Sequence, residues 1–186
     1  TTTNAIVFGG SDPTTVVAVT EHWNGTSWTE VAELGTARNN MGPTGNITAA
    51  IIAGGYVAPG KQTYVEEWTN GPATFQKTNE GQVYYNSSST NAFKVTQRDL
   101  TVGTWASGGN LTTAKKEGSG AGTQTAALCF GGQTATANAD ESEEYDGSSW
   151  TEGSNLTAAN YQQVGIGTQT AALEVAGLEP GGRTVN

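Results

Sequence analysis

Short apolar runs recur along this chain, each preceded by a polar turn and closed by glycines. The fullest is residues 122–132, GTQTAALCFGG. The phrase returns as residues 46–55 (NITAAIIAGG), residues 3–10 (TNAIVFGG) and, more loosely, residues 167–177 (GTQTAALEVAG). A few consecutive apolar residues bounded by turn signals read as a buried strand. A run apolar on both faces belongs inside a stack of sheets, and paired glycines at its end allow close backbone approach or a bulge. Between the runs the pattern changes. Glu21-His22-Trp23 leads to Asn24-Gly25, and residues 27–34 alternate around Trp28 and Val31. This is a hairpin in which both turn positions are expected at positive φ. One unit therefore predicts about four short antiparallel strands, with no helical stripe.

The pattern has a period. Thirteen residues separate Gly10 from Trp23, Gly55 from Trp68 and Gly132 from Tyr145; five separate Trp23 from Trp28 and Tyr145 from Trp150. Another 27 lead from Trp28 to Gly55, from Trp105 to Gly132 and from Trp150 to Gly177, so the repeat is 45 residues long. It breaks once, at the 37-residue step from Trp68 to Trp105, which holds an insertion of 32 residues. Within the insertion, Val83-Tyr84-Tyr85 and Ala92-Phe93-Lys94-Val95 read as the strands of a separate hairpin around residues 86–90, with residues 97–102 as a connector. Repeats of ~40–50 residues with four short strands point to propeller blades, each a twisted sheet that buries its faces only by stacking on its neighbours. Less the insertion, the chain holds about 3.4 units, short of the roughly four to eight of a closed ring. The expectation is part of a larger propeller, or a segment straddling two, and the start on Thr1 partway through a unit suggests a fragment or processed product.

Composition narrows the function classes. Val, Ile, Leu and Phe total 29 of 186 residues against 26 glycines. So few large apolar residues would hint at disorder if the chain were highly charged, but only 13% is charged and the aromatic spacing is regular. Thin sheets packed through small side chains fit better. A net charge of −9 with scattered Lys and Arg disfavours nucleic acid, which requires clustered cations. No apolar run is long enough for a membrane-spanning helix. The lone Cys129 stands where other copies have Val7 and Ile52, so it reads as a small buried hydrophobe, and one cysteine forms no disulfide within the chain.

The carriers Gly9-Gly10, Glu21, Trp23, Trp28, Leu34 and Arg38, and their counterparts Gly131-Gly132, Glu143, Tyr145, Trp150 and Leu156, resemble kelch repeats. The wording GTQTAALxFGG and EEYDGSSWTEGSNLTAA is similar to kelch-like repeats in virion and tail-fibre proteins of marine bacteriophages. The resemblance covers nearly the whole chain. It implies an all-β fold of kelch-like propeller blades, four-stranded and antiparallel, with one inserted β-hairpin. It also implies three regions: residues 1–79 as the end of one array, residues 80–103 as inserted hairpin and connector, and residues 104–186 as the start of a second array or a continuation. The role implied is structural or adhesive, in a virion or extracellular appendage, without catalysis, cofactor or metal. Partners would be copies of the chain, other particle proteins and a host surface glycan. A carbohydrate-binding propeller lectin is the alternative; it should repeat aromatic and acidic residues at one loop position in every unit.

Chemistry-bearing residues are sparse. His22 aligns with Glu67 and Glu144 and reads as an exposed strand position rather than a base. Glu21, Glu66 and Glu143 recur in register, but adjacent strand residues face opposite ways, so Glu-Glu pairs form no acid/base dyad. Their expected role is to accept hydrogen bonds from a neighbouring strand or loop. One histidine and one core cysteine cannot build a copper radical site of the galactose-oxidase kind. Residues 146–150 (DGSSW) approach a sialidase turn, yet Arg38, Arg98 and Arg183 lie in different phases of the repeat and would not converge. The five N-x-Ser/Thr triplets, at Asn24, Asn46, Asn86, Asn110 and Asn155, fit chance in so polar a chain, and Asp140 and Glu141 lack any calcium-loop pattern. The loops after the glycines (residues 11–20, 56–63 and 133–142) differ most between units and should share one rim, where binding is commonly carried. Tyr56, Tyr84, Tyr85 and Phe93 are the candidate partner-binding residues.

Overall fold

The computed structural model describes residues 4–70, 83–86, 92–95, 103–179 and 182–183. These are all-β, with no helix among them. The first repeat sheet holds β1 (Ala5–Phe8), β2 (Thr20–Trp23) and β3 (Trp28–Glu30) in that order. The second holds β4 (Gly42–Gly45) and β5 (Ala49–Ala53), then, past the small hairpin of β6 (Tyr56–Val57) and β7 (Gly60–Lys61), β8 (Val65–Thr69). The inserted hairpin follows as β9 (Val83–Asn86) and β10 (Ala92–Val95), and β11 (Thr104–Ser107) completes the second sheet in the order β4-β5-β8-β11. The third sheet is β12 (Ser119–Thr123), β13 (Ala126–Phe130), β14 (Ser142–Tyr145) and β15 (Trp150–Glu152). The fourth pairs β16 (Val164–Thr168) with β17 (Ala171–Val175), and β18 (Leu178–Glu179) and β19 (Gly182–Arg183) repeat the β6–β7 hairpin. Among the described residues every pairing is antiparallel, and no sheet closes on itself.

The five-residue aromatic step is a cross-strand pair. Trp23 faces Trp28, Trp68 faces Trp105, and Tyr145 faces Trp150, with ring centroids 5.5, 5.4 and 5.0 Å apart. Such pairs add to sheet stability beyond the area they bury. The pair at Trp68 and Trp105 survives the insertion, because the inserted segment leaves and re-enters between neighbouring strands of one sheet.

The turn differs from the sequence expectation. Gly25 takes φ 96°, but Asn24 does not take positive φ, and the loop spans four residues rather than two. Asn24 acts through its side chain, whose Oδ1 accepts from the N–H groups of Thr26 (2.9 Å) and Ser27 (3.0 Å). Asp146 does the same for Ser148 and Ser149. A carboxamide or carboxylate that caps its own loop substitutes for a tight backbone turn. The outer strand is also shorter than expected: β3 stops at Glu30, where residues 27–34 had read as strand.

Successive sheets stack face to face. The strands β4, β12 and β16 pack side by side, with β12 in the middle. Small residues allow the approach: a Cβ added at Gly120 would lie 2.8 Å from the Pro43 carbonyl oxygen. Between the second and third sheets lies the core, with Ile51, Ala53, Val65 and Leu111 against Ala127, Cys129, Tyr145 and Trp150. Between the first and second, Phe8 meets Trp105 edge-on at 5.2 Å, and Trp105 Nε1 donates to Thr20 Oγ1. The apolar phrase is thus buried on both faces in β5, as expected. It is not so in β1 and β17, where Val7 and Leu173 lie exposed. The reason is position in the stack, since among the described residues the first and fourth sheets have a neighbour on one side only.

Candidate functional site

The segments that carry the chain from one sheet to the next hold the polar groups that recur. Residues 34–38 and 111–115 follow the outer strands of the first and second sheets. Leu34 and Leu111 N–H donate back to Ala18 and Thr63 carbonyls, and the Arg38 and Lys115 carbonyls accept from Gly10 and Gly55 N–H. Each segment then reaches forward. Glu66, on the second sheet, accepts from Gly35 N–H (2.7 Å) and Arg38 Nη2 (2.9 Å). Glu143, on the third, accepts from the Thr112 N–H (2.6 Å) and hydroxyl (2.9 Å), and Lys115 Nζ lies 3.0 Å from Glu143 Oε1 as an ion pair without hydrogen-bond alignment. Arg38, Lys115 and Glu143 are at most 1% exposed. Burial lowers the Arg38 pKa, and Glu66 pushes it back up. These are clasps between sheets, the hydrogen-bonding role expected of the recurring glutamates. Glu21, at the same position in the first sheet, is half-buried and has no preceding segment to hold among the described residues.

A second recurring group lies just before the inner strands. Asn40, Glu117 and Gln162 occupy one repeat position, and all three take left-handed φ, 55°, 57° and 57°. Their backbones join in series, Glu117 N–H donating to Asn40 C=O and Gln162 N–H to Glu117 C=O. The Glu117 carboxylate accepts from Asn40 Nδ2, Gln162 Nε2 and Lys116 Nζ. Non-glycine residues held in this region cost about 1–3 kcal/mol each, so surrounding bonds must fix them. Nothing in the hydrophobic pattern pointed to this line. The only sequence signal was a polar residue at one phase of the period.

The phrase that organises the sequence has a third part. Gln124 and Gln169, within GTQTAAL, reach back to the preceding sheet: Gln124 Nε2 donates to Trp68 C=O (2.9 Å), and Gln169 Nε2 to Tyr145 C=O (2.7 Å). Tyr145 in turn donates its hydroxyl to Glu67 of the second sheet. Burial, then the Glu67 carboxylate, hold the Tyr145 phenol up to about 12. Burial likewise pushes the Cys129 thiol up to about 11, which fits a core side chain rather than a reactive one.

The rim loops do lie together. Tyr56 exchanges backbone hydrogen bonds with Asn39, whose amide reaches Ser11 Oγ. Gln133 pairs with Lys116, and Lys61 Nζ donates to Thr134 C=O. Between the loop at Ser11 to Val16 and Ala58 lies an open hollow of about 430 Å³. Tyr56 itself is half-buried, with Lys116 Nζ 5.6 Å from its ring centroid. Its repeat equivalents are Ser11, Gln133 and Leu178, so no aromatic recurs there. Tyr84, Tyr85 and Phe93 lie on the inserted hairpin, where Tyr85 opposes Phe93 and Lys94 opposes Tyr84; their side chains lie outside the described residues. Arg98 and residues 97–102 of the connector lie outside them as well.

His22 departs from its expected exposure. It is half-buried on the face opposite Glu21, and its Nε2 is buried without a partner among the described residues, because that face is covered by the second sheet. The pairs Glu66/Glu67 and Glu143/Glu144 face opposite ways, one carboxylate in each clasp and the other toward the following sheet. Among the described residues no three His, Cys, Asp or Glu side chains gather as a metal site, and no helix is long and apolar enough to cross a membrane. No known protein-family model matches the chain, and no curated protein matches it.

Proposed function

We propose that the chain is a structural and adhesive component of a phage virion or tail fibre, or of a comparable extracellular appendage, built from kelch-like propeller blades. The observation that carries the reading is the clasp: buried Arg38, Lys115, Glu66 and Glu143, the best candidates for chemistry, are consumed in joining one sheet to the next. A chain that spends its buried charge on stacking is built to be a scaffold. The four-stranded sheets, glycine-lined inner strands and one-sided rim agree with blades of a propeller. The segment after the insertion continues the same array in this reading, since β11 completes the sheet that β4, β5 and β8 begin. Its partners are copies of itself, other particle proteins and a host surface glycan met by the rim. No catalysis, metal or cofactor is assigned to it.

Mass spectrometry of purified particles from the source tests this. Peptides of the chain, at an abundance matching other structural proteins of the particle, are the expected result. Their absence from particles, with the chain recovered free, would overturn the reading. Selective binding of the free chain to one class of sugar on a glycan array would then favour the lectin.

A further inference from the structure

The outer hairpin loops repeat one dipeptide with a single change. Asn24-Gly25 in the first sheet stands where the third has Asp146-Gly147. The two loops share one geometry. Gly25 and Gly147 both take φ 96°, and Oδ1 of Asn24 or Asp146 accepts from the N–H groups two and three residues on. Both loops are exposed. The third sheet is packed on both sides, so that exposure belongs to the loop and not to its place in the stack.

An asparagine followed by glycine is open to attack by the next backbone nitrogen on its own side-chain carbonyl. Three features of the first loop leave Asn24 ready for it. Gly25 has no side chain to crowd the approach, and its N–H donates to no group among the described residues. Negative charge gathers on Oδ1 as the nitrogen attacks, and Oδ1 already faces Thr26 N–H at 2.9 Å and Ser27 N–H at 3.0 Å. Donors aimed at developing charge lower a barrier. The leaving nitrogen, Nδ2, donates only to Ser27 Oγ among the described residues, at 3.3 Å, and the loop is open to water. Other asparagines differ. The N–H groups that follow Asn110, Asn138, Asn155 and Asn160 belong to Leu111, Ala139, Leu156 and Tyr161. All four are engaged, donating to the Thr63, Gly132, Asp140 and Leu178 carbonyls.

We propose that Asn24 is a self-modification site, at which the chain converts its own asparagine to aspartate without an enzyme. Base removes the Gly25 amide proton, and the nitrogen bonds to Asn24 Cγ. The Cγ–Nδ2 bond then breaks, and ammonia departs to leave a cyclic imide. Water opens that ring at Cγ to give aspartate, or at the backbone carbonyl to give an isoaspartyl link. The sum is one water consumed and one ammonia released, with no oxidation or reduction. Aspartate is the product the loop accommodates, as Asp146 demonstrates by taking the Ser148 and Ser149 N–H groups at 2.9 and 2.8 Å. Those bonds, that of Ser149 N–H first, hold the Asp146 carboxyl down to about 2. A charged acceptor binds such donors more strongly than an amide does. The isoaspartyl link instead carries Cγ into the main chain and loses the cap. Conversion to aspartate therefore adds a negative charge and keeps the loop.

Tandem mass spectrometry of tryptic peptides tests this, on the folded chain incubated in neutral and in mildly alkaline buffer. Residue 24 should convert at least about tenfold faster than Asn110, Asn138, Asn155 and Asn160, where a bonded N–H and a side chain both add to the barrier. It should convert faster in the alkaline buffer, because the amide proton must leave first. Asn70-Gly71, whose glycine lies outside the described residues, falls on a separate tryptic peptide and is read apart. Asp146→Asn should gain the same reaction in the third loop, and Gly25→Ala should slow it in the first. Alanine is strained at φ 96°, so Asp146→Asn, which keeps its glycine, carries the test if Gly25→Ala fails to fold. An Asn24 that stays an amide while the same chain in urea converts overturns the proposal. So does equal conversion at all five asparagines, or an Asp146→Asn variant that is inert at residue 146.

Discussion

Residues 122–128 and 167–173 are the same seven amino acids, GTQTAAL, placed in the third and fourth sheets. Locally they fold alike. Gly122 and Gly167 take φ 99° and 113°, a Cβ at either would fall 2.2 Å from the next strand's carbonyl oxygen, and each glutamine reaches back to the preceding sheet. Their environments differ. Ala127 is wholly buried and Leu128 half-buried, whereas Ala172 and Leu173 are exposed. Turn chemistry and strand formation are therefore properties of the heptapeptide. Burial is a property of what stands beside it.

The largest effect should come from breaking a clasp at the buried junction. Glu143→Ala strands the Lys115 ammonium at 1% exposure and removes the acceptor for Thr112. It should cost about 4 kcal/mol, the scale for removing one partner of a buried pair, read as a lower urea midpoint. The same change at Glu21, which holds no segment among the described residues, should stay within about 0.5 kcal/mol. Equal losses at the two positions would mean that the clasp is not what separates inner from outer sheets.

Next come the apolar faces. Phe130→Ala, at a side chain 2% exposed beneath Gly165, should cost about 3 kcal/mol through lost burial and a residual cavity. Its counterpart Val175→Ala, at a side chain 41% exposed, should cost less than about 0.5 kcal/mol. The turn glycines sharpen the other half of the comparison. Gly122→Ala and Gly167→Ala should each cost about 1–3 kcal/mol, because the strain is local and alike. Hydrogen exchange at the β12–β13 and β16–β17 amides would report each site separately.

Vanishing at neutral pH, and so the smallest effect there, is an alkaline pH dependence at the buried junction. Cys129 rises from 9.0 to about 11 and Tyr145 from 10.0 to about 12. The unfolded chain gives up both protons at lower pH than the folded one, so their contribution is intact below about pH 9 and lost as pH rises through 9–12. Tyr145→Phe should flatten the part of that loss above about pH 10 in urea midpoints taken along a pH series. A variant that loses stability along the wild-type curve would place the titration elsewhere.

Much of this architecture was legible in the residues. The 45-residue period, the strand ends at paired glycines and the inserted hairpin at Val83–Asn86 and Ala92–Val95 are local signals, since glycine, aromatic pairs and short apolar runs each constrain the backbone within a few residues. The role of Glu66 and Glu143 as acceptors was legible from their recurrence, but not that Arg38 and Lys115 would be the cations they meet. The turn at Asn24 was misread because a side-chain acceptor can do what positive φ does. His22 was misread because exposure depends on the sheet laid over it. Left-handed Asn40, Glu117 and Gln162 gave no warning, having neither glycine nor periodicity of hydrophobicity to mark them.

By itself the sequence determined where strands and turns fall and how often they repeat, because backbone sterics and turn hydrogen bonds act over a few neighbouring residues. The tertiary structure alone decided which copy of GTQTAAL is buried, which glutamates meet a cation, and that the second sheet covers the face of His22. Those outcomes depend on sheets brought together across tens of residues, where the cost of dehydrating a charge and the gain from covering apolar surface are set by the neighbour.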